Sequence, residues 1–190
     1  MGKFKIAIDC DNIVNNFTEK LVELYNNRYR ASITVADFVD YDFFKCFPYD
    51  NAARMIELLY DKSLWDSLTP IDGAQRGVRH FVEQNYEVYF ATATEPANFP
   101  WKVEWLKSYF DMVPSKNIVC INNKGLLKVD VLIDDNLANL LSGFYHRVCL
   151  DYTWNRYAYD EIYDIIRCSN WDEITNRVDE IYQSEKKLYH

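Results

Sequence analysis

Residues that break or bend a backbone are scarce in this chain, with five glycines and five prolines in 190 residues. Because hydrophobic residues make up 49%, that scarcity excludes a disordered chain and leaves an ordinary globular protein. No apolar run is long enough to span a bilayer. No two cysteines are spaced as a CxxC pair. The five (Cys10, Cys46, Cys120, Cys149 and Cys168) are odd in number and far apart, which fits reduced thiols in a reducing compartment. Cys10, Cys120 and Cys149 lie in or beside apolar runs and are expected to be buried. Positive charge is also short: 21 Lys and Arg stand against 29 Asp and Glu, for a net charge of −8. That argues against a nucleic-acid polymer as partner, which needs a basic footprint. A mononucleotide stays open, since one metal, one lysine and a few backbone donors can hold its phosphate. Met1-Gly2-Lys3-Phe4 runs straight into an apolar strand, leaving no room for a signal or transit peptide. Ile6 also stands where myristoylation wants Ser or Thr. A cytoplasmic protein with no membrane partner is expected.

Aromatic residues are plentiful, with 15 Tyr, 11 Phe and 5 Trp. The length fits one domain, or one domain with a small insertion. Phe4 to Asp9 reads as a buried strand. Phe17 to Arg30 follows with helical period, its inner face Phe17, Leu21, Leu24 and Tyr25. The stretch from Ser32 to Asp50 is rich in rings and has no clean period. Asn51 to Tyr60 reads as a helix with Ala52, Met55, Ile56 and Leu59 inside. Thr69-Pro70-Ile71-Asp72-Gly73 is a turn that starts a helix from Ala74 to Asn85. Strands then alternate with helices. The strands are Val88–Ala91, Ile118–Ile121, Val129–Ile133 and Val148–Leu150; the helices are Trp101–Phe110 and Asn136–Leu141. A last amphipathic helix runs from Trp171 to Glu185. Alternation of this kind predicts an α/β fold, a doubly wound, mostly parallel sheet covered on both faces. Residues 17–69 interrupt it as a helical insertion, leaving 1–16 and 70–190 as the core.

Four predicted strands end in chemistry. The first ends in Asp9-Cys10-Asp11, and alternation turns Cys10 away from the two carboxylates. Like charges so close imply a divalent metal, a shared proton or a basic neighbour. The second ends in Ala91-Thr92-Ala93, where a hydroxyl and an amide can donate to phosphate oxygens. Lys124 follows the third and offers a fixed positive charge; Lys128 is the competing lysine. The fourth ends in Asp134-Asp135, and two acidic strand ends together supply the oxygen ligands that Mg²⁺ prefers. Open α/β folds bind ligands at this carboxyl edge.

Asp-x-Asp, Thr, Lys and Asp-Asp, in that order at successive strand ends, resemble the four motifs of the haloacid dehalogenase superfamily. The likeness spans Phe4 to Leu150. The second Asp of the first motif is the form of its phosphatases, and the insertion after that motif looks like the superfamily's small cap. Thr69-Pro70-Ile71-Asp72-Gly73, Lys124 with Asp134-Asp135, Ser169-Asn170-Trp171 and Thr153-Trp154-Asn155-Arg156 are similar to 5′(3′)-deoxyribonucleotidases. Asn12 departs from a common Gly, but Asn tolerates φ > 0.

The resemblance implies Asp9 as nucleophile and Asp11 as general acid and base. It implies Mg²⁺ held by Asp9, the Asp11 carbonyl, and Asp134 or Asp135. Thr92, the Ala93 amide and Lys124 would hold phosphate. Phe17, Phe43, Phe44 and Tyr60 are candidates for stacking on a base. Phe17 could instead be core of the insertion, and of Phe43 and Phe44 one should point inward. The expected activity is Mg²⁺-dependent hydrolysis of deoxyribonucleoside monophosphates, with a homodimer implied by the family. A phosphatase for another small phosphate, such as a sugar phosphate or a nucleic-acid 3′-phosphate, and a catalytically silent binding module are the alternatives.

Overall fold

The computed structural model describes residues 3–156 and 160–188. Six parallel strands form one sheet: β1 (Lys5–Ile8), β2 (Glu87–Thr92), β3 (Ile118–Cys120), β4 (Val131–Asp134), β5 (His146–Leu150) and β6 (Ile165–Cys168). Their spatial order is β3-β2-β1-β4-β5-β6. The helices are α1 (Phe17–Tyr29), α2 (Phe43–Cys46), α3 (Tyr49–Leu58), α4 (Lys62–Ser67), α5 (Ala74–Glu83), α6 (Phe99–Tyr109), α7 (Leu137–Leu140), α8 (Asp160–Tyr163) and α9 (Trp171–Leu188). Among the described residues no helix is long and apolar enough to cross a membrane.

Period-2 alternation splits the core in two. Ile6, Ile8, Val88, Phe90, Val131, Ile133 and Val148 face one large cluster with α5, α6 and α9. Ala7, Ala91, Leu132 and Cys149 face a smaller one closed by Leu140 of α7. Both faces are covered, so apolar residues run continuously along the central strands.

The insertion leaves the loop that follows β1 and returns to it. Between Asn16 and Thr69 two bonds close the loop: Asn16 N–H to Thr69 O at 3.2 Å and Thr69 N–H to Asn16 Oδ1 at 2.8 Å. Its four helices, α1 to α4, lie between these points. The turn at Gly73 has φ +80° and starts α5. A Cβ on Gly73 would stand 2.9 Å from Trp171 Cβ, and one on Gly77 2.5 Å from the Trp171 ring. Trp171 is buried and donates its indole N–H to Ile13 O at 2.7 Å. The Thr69–Gly73 and Ser169–Trp171 segments are therefore one packing unit that pins the loop after β1.

Several expectations needed correction. α3 begins at Tyr49, one residue after Pro48, and buries Leu58 where Leu59 was expected. On α1 the buried stripe is Thr18, Leu21, Val22 and Tyr25, with Phe17 and Leu24 half-buried at its border. The short α4 was not foreseen. Nor were α8 and β6. Ile165-Ile166-Arg167-Cys168 has no clean apolar signal because Arg167 interrupts it, and that guanidinium is paid for by Asp160, Asp151 and Asn155. Cys10, Cys149 and Cys168 are buried, but Cys120 is exposed, since β3 is an edge strand whose last residue faces out.

Candidate active site

β1 lies between β2 and β4, with Ile8 in register with Phe90 and Ile133. The next residues along these strands are Asp9, Thr92 two places past Phe90, and Asp134. The topology alone thus brings three of the four motifs to one carboxyl edge. Asp9 keeps its backbone in the ladder, donating to Ile133 O at 2.9 Å. The chain then turns at Asn12, whose φ is +59°. The Asn12 side chain holds the turn by accepting from Thr18 N–H at 2.9 Å and donating to Asp135 Oδ2 at 3.4 Å.

Lys124 is fully buried, in a short 3-10 turn after β3. Its Nζ lies 2.5 Å from Asp9 Oδ1 and 2.5 Å from Asp134 Oδ2. Burial works against its charge, but Asp9 and Asp134 outweigh burial and hold Lys124 above the ordinary lysine range. Lys128 is exposed and lines a separate cleft with Lys3, Phe4 and Tyr86, so Lys124 is the lysine of the site.

A second buried lysine was missed from the sequence. Lys102 of α6 donates to Asp11 Oδ2 at 2.5 Å and to Thr92 Oγ1 at 2.7 Å. It lies three and four residues before the buried Trp105 and Leu106, so helical spacing puts it on the inner face. Val103, its apolar neighbour, is only half-buried at the border of that face. Burial opposes the charge of Lys102 as well; Asp11 more than restores it.

Asp9, Asp11, Asp134 and Asp135 bring four carboxyl groups against these two ammonium groups. Burial first, then Asp134 and Asp11, push Asp9 up to about 6 despite Lys124. Burial, then Asp134 and Asp9, push Asp135 well above the carboxylate range. Among the described residues four carboxyl groups thus face two ammonium groups, and a divalent cation would supply the positive charge that favours their ionised forms. Asp9, Asp134 and Asp135 can each turn one oxygen to within 4.8 Å of the others, and an all-oxygen donor set suits a hard cation. The Asp11 side chain is turned to Lys102 and is not part of that group.

The two neighbouring carboxylates differ in what already occupies them. Asp134 accepts from Asn136 N–H and Asn139 on Oδ1, and from Lys124 and Asn139 on Oδ2. Asp135 accepts from Trp154 Nε1 and Asn12 on Oδ2, and from the Tyr41 hydroxyl on Oδ1. Each carboxylate offers about four acceptor positions. Among the described residues those of Asp134 are taken, two of them by the shared Asn139 Nδ2, whereas Asp135 retains one on Oδ1.

A cavity of about 360 Å³ opens above these groups, within the range of small-ligand sites. Asp9, Asp11, Ala93, Asn122 and Asn136 line its floor side, and Phe17, Phe38, Tyr41, Phe43 and Trp154 add aromatic rings. Of the sequence candidates, Phe17 and Phe43 border it. Phe44 is 45% exposed and Tyr60 53% exposed, and neither lines it. Adjacent residues on a helix point about 100° apart. Phe43 turns in to Phe38, with ring centres 5.7 Å apart, and Phe44 turns out to Tyr49. Phe38, Tyr41 and Trp154 were not singled out as site residues, because the aperiodic stretch 32–50 gives no direction to its rings.

This sheet order with these strand ends is the fold of haloacid dehalogenase-like hydrolases. A HAD family hydrolase from Deinococcus radiodurans, solved with bound phosphate and sodium, superposes with a TM-score of 0.67 at 10% identity, over 95% of this chain and 97% of that one. A hydrolase from Pseudomonas syringae does so with a TM-score of 0.61 at 14% identity, over 94% and 99%. Within that fold the chain belongs to the 5′ nucleotidase, deoxy (pyrimidine), cytosolic type C family, whose pattern it matches over residues 3–183. It is 30% identical over 175 residues to the 5′(3′)-deoxyribonucleotidase of Bacillus subtilis, covering 91% of this chain and 97% of the relative.

Proposed function

We propose that the protein is a Mg²⁺-dependent phosphomonoesterase that hydrolyses deoxyribonucleoside monophosphates through an aspartyl-phosphate on Asp9. The observation that carries this reading is the juxtaposition of Asp9, Lys124 and Asp134 at 2.5 Å contacts beneath a ring-lined cavity. Lys124 engages Asp9 Oδ1, which leaves Oδ2 to attack phosphorus. The bond from phosphorus to the sugar oxygen breaks, and Asp11 gives that oxygen its proton. Asp11 then takes a proton from water, whose oxygen attacks phosphorus and releases Asp9 and inorganic phosphate. A phosphate entering the site competes with Asp11 for Lys102. Once Lys102 turns to the phosphate, the Asp11 carboxyl is free to hold the proton the leaving oxygen needs. Thr92 and the Ala93 amide complete the phosphate contacts.

Asp9, Asp135 and the Asp11 carbonyl would hold Mg²⁺, with Asp135 the direct ligand and Asp134 reserved for Lys124. When bound, the cation neutralises the repulsion between carboxylate and phosphate. Residues 17–69 act as a cap over the core. The family's description supports a cytoplasmic enzyme, and resemblance to the family supports a homodimer. A panel of deoxyribonucleoside monophosphates, assayed for released phosphate, should be hydrolysed with Mg²⁺ and not with EDTA, and Mg²⁺ should restore the activity. Full turnover in EDTA would remove the cation from the reaction.

The cap's rings supply the recognition that the core lacks. A ring stacked on a base contributes roughly 1–3 kcal/mol. Phe43→Ala should therefore raise KM for a nucleotide about tenfold and leave p-nitrophenyl phosphate hydrolysis nearly unchanged, because that ester has little to stack. Phe44→Ala should leave both substrates unaffected. Equal losses on both substrates for Phe43→Ala would make the ring a support of the fold.

A further inference from the structure

We infer that Tyr41, Thr153 and Trp154 form a clamp tying the cap loop to the cation carboxylate, so that docking of the loop and binding of the cation reinforce each other. The inference rests on the Mg²⁺ reading above. Three residues past the end of β5, the consecutive residues Thr153, Trp154 and Asn155 donate four side-chain hydrogen bonds. Thr153 Oγ1 donates to the carbonyl of Phe38, in the loop between α1 and α2, at 2.7 Å. Trp154 donates its indole N–H to Asp135 Oδ2 at 3.0 Å. Asn155 Nδ2 donates to the Asp135 backbone carbonyl at 2.9 Å and to Leu150 O at 2.8 Å. Three residues past Phe38, Tyr41 donates its hydroxyl to Asp135 Oδ1 at 3.2 Å.

Asp135 is thus gripped from two sides. Trp154 and Asn12 hold Oδ2 from the core, and Tyr41 reaches Oδ1 from the cap. The core side is stiff: Tyr152 and Trp154 stack with ring centres 4.4 Å apart at 5°, and Tyr152 Oη donates to Asn12 O at 2.8 Å. Donors of this kind orient a ligating carboxylate, and losing one costs about 10–100-fold in metal affinity. Coupling between two binding events is reciprocal. If Tyr41 strengthens cation binding, the cation must hold the Tyr41 loop. Tyr41, Thr153 and Trp154 are positioning residues: they act through Asp135 and do not touch the reacting atoms.

The test is calorimetric titration of Mg²⁺ alone into EDTA-stripped protein. Tyr41→Phe and Trp154→Phe should each bind Mg²⁺ about tenfold more weakly than wild type. Arg156→Gln should bind it equally, since Arg156 is exposed and, among the described residues, its side chain bonds only Asp151. Mg²⁺ should slow amide exchange over residues 38–44 in wild type, and much less in Tyr41→Phe and Thr153→Val. Urea midpoints in EDTA separate these effects from unfolding; if Trp154→Phe is destabilised, Tyr41→Phe decides. Tyr41→Phe binding Mg²⁺ as tightly as wild type, or amide exchange indifferent to Mg²⁺, would overturn the clamp. Tighter binding by Tyr41→Phe would also overturn it, by showing that the hydroxyl competes with the cation. A wild-type protein that binds no Mg²⁺ would instead overturn the cation reading, and the clamp with it.

Discussion

Asp9→Asn should abolish phosphate release from a deoxyribonucleoside monophosphate, by a factor on the order of 10⁴ or more, and should leave the protein folded. The amide keeps the shape of the carboxylate and still offers an oxygen to Lys124, but it cannot form the acyl-phosphate. Stability should not fall. In the metal-free protein Asp9 is pushed up from 3.8 to about 6, chiefly by burial. An acid whose folded pKa lies above its unfolded value binds its proton more tightly when folded. Its contribution is therefore lost as pH rises from about 3.8 to about 6, and above that window the ionised group opposes folding. Asn removes that opposition, so at pH 7.5 in EDTA the urea midpoint should equal or exceed that of wild type. Lys124 retains Asp134 as its partner, which limits the loss from removing one of two carboxylates. Turnover by Asp9→Asn at even a tenth of the wild-type rate would exclude Asp9 as nucleophile, and a collapsed urea midpoint would show that its charge supports the fold.

Asp11→Asn should lower kcat for nucleotides about 10²–10⁴-fold, the usual worth of general acid–base catalysis. The loss should depend on the leaving group. A deoxyribose oxygen is a poor leaving group and needs the proton; p-nitrophenolate leaves without one. The ratio of the two substrates' rates should therefore shift toward p-nitrophenyl phosphate by more than tenfold. Asp11 is well placed for that task. It lines the cavity, Asn15 Nδ2 holds its carboxylate at 3.1 Å while Lys102, at 2.5 Å, is the contact that phosphate draws away, and its side chain stands outside the cation group. Unchanged nucleotide hydrolysis in Asp11→Asn would give the proton transfer to another group.

Local pattern was enough for most of the fold. Alternating apolar strands and amphipathic helices are short-range signals, and Ile6-Ala7-Ile8 or Val131-Leu132-Ile133 can be read without knowing their neighbours. β6 escaped because its pairing with β5 makes it a strand, not its own residues; Arg167 inside it is tolerated only because Asp160, Asp151 and Asn155 surround it in space.

For the site, sequence alone determined the residues at the carboxyl ends of the strands: Asp9, Asp11, Thr92, Lys124, Asp134 and Asp135. Covalent position dictates them, since a parallel sheet sends every strand end to the same edge whatever lies between. Tertiary structure decided everything that depends on direction and sharing. It turned Phe43 inward and Phe44 out, put Lys102 rather than Val103 on the inner face of α6, and set Lys124 apart from Lys128. It also filled the acceptor positions of Asp134 while leaving one open on Asp135, and brought Tyr41 across 94 residues to that carboxylate. These are contacts between residues far apart in the chain. Each arises from competition for a limited number of lone pairs and limited buried space, and that competition exists only once the segments have packed.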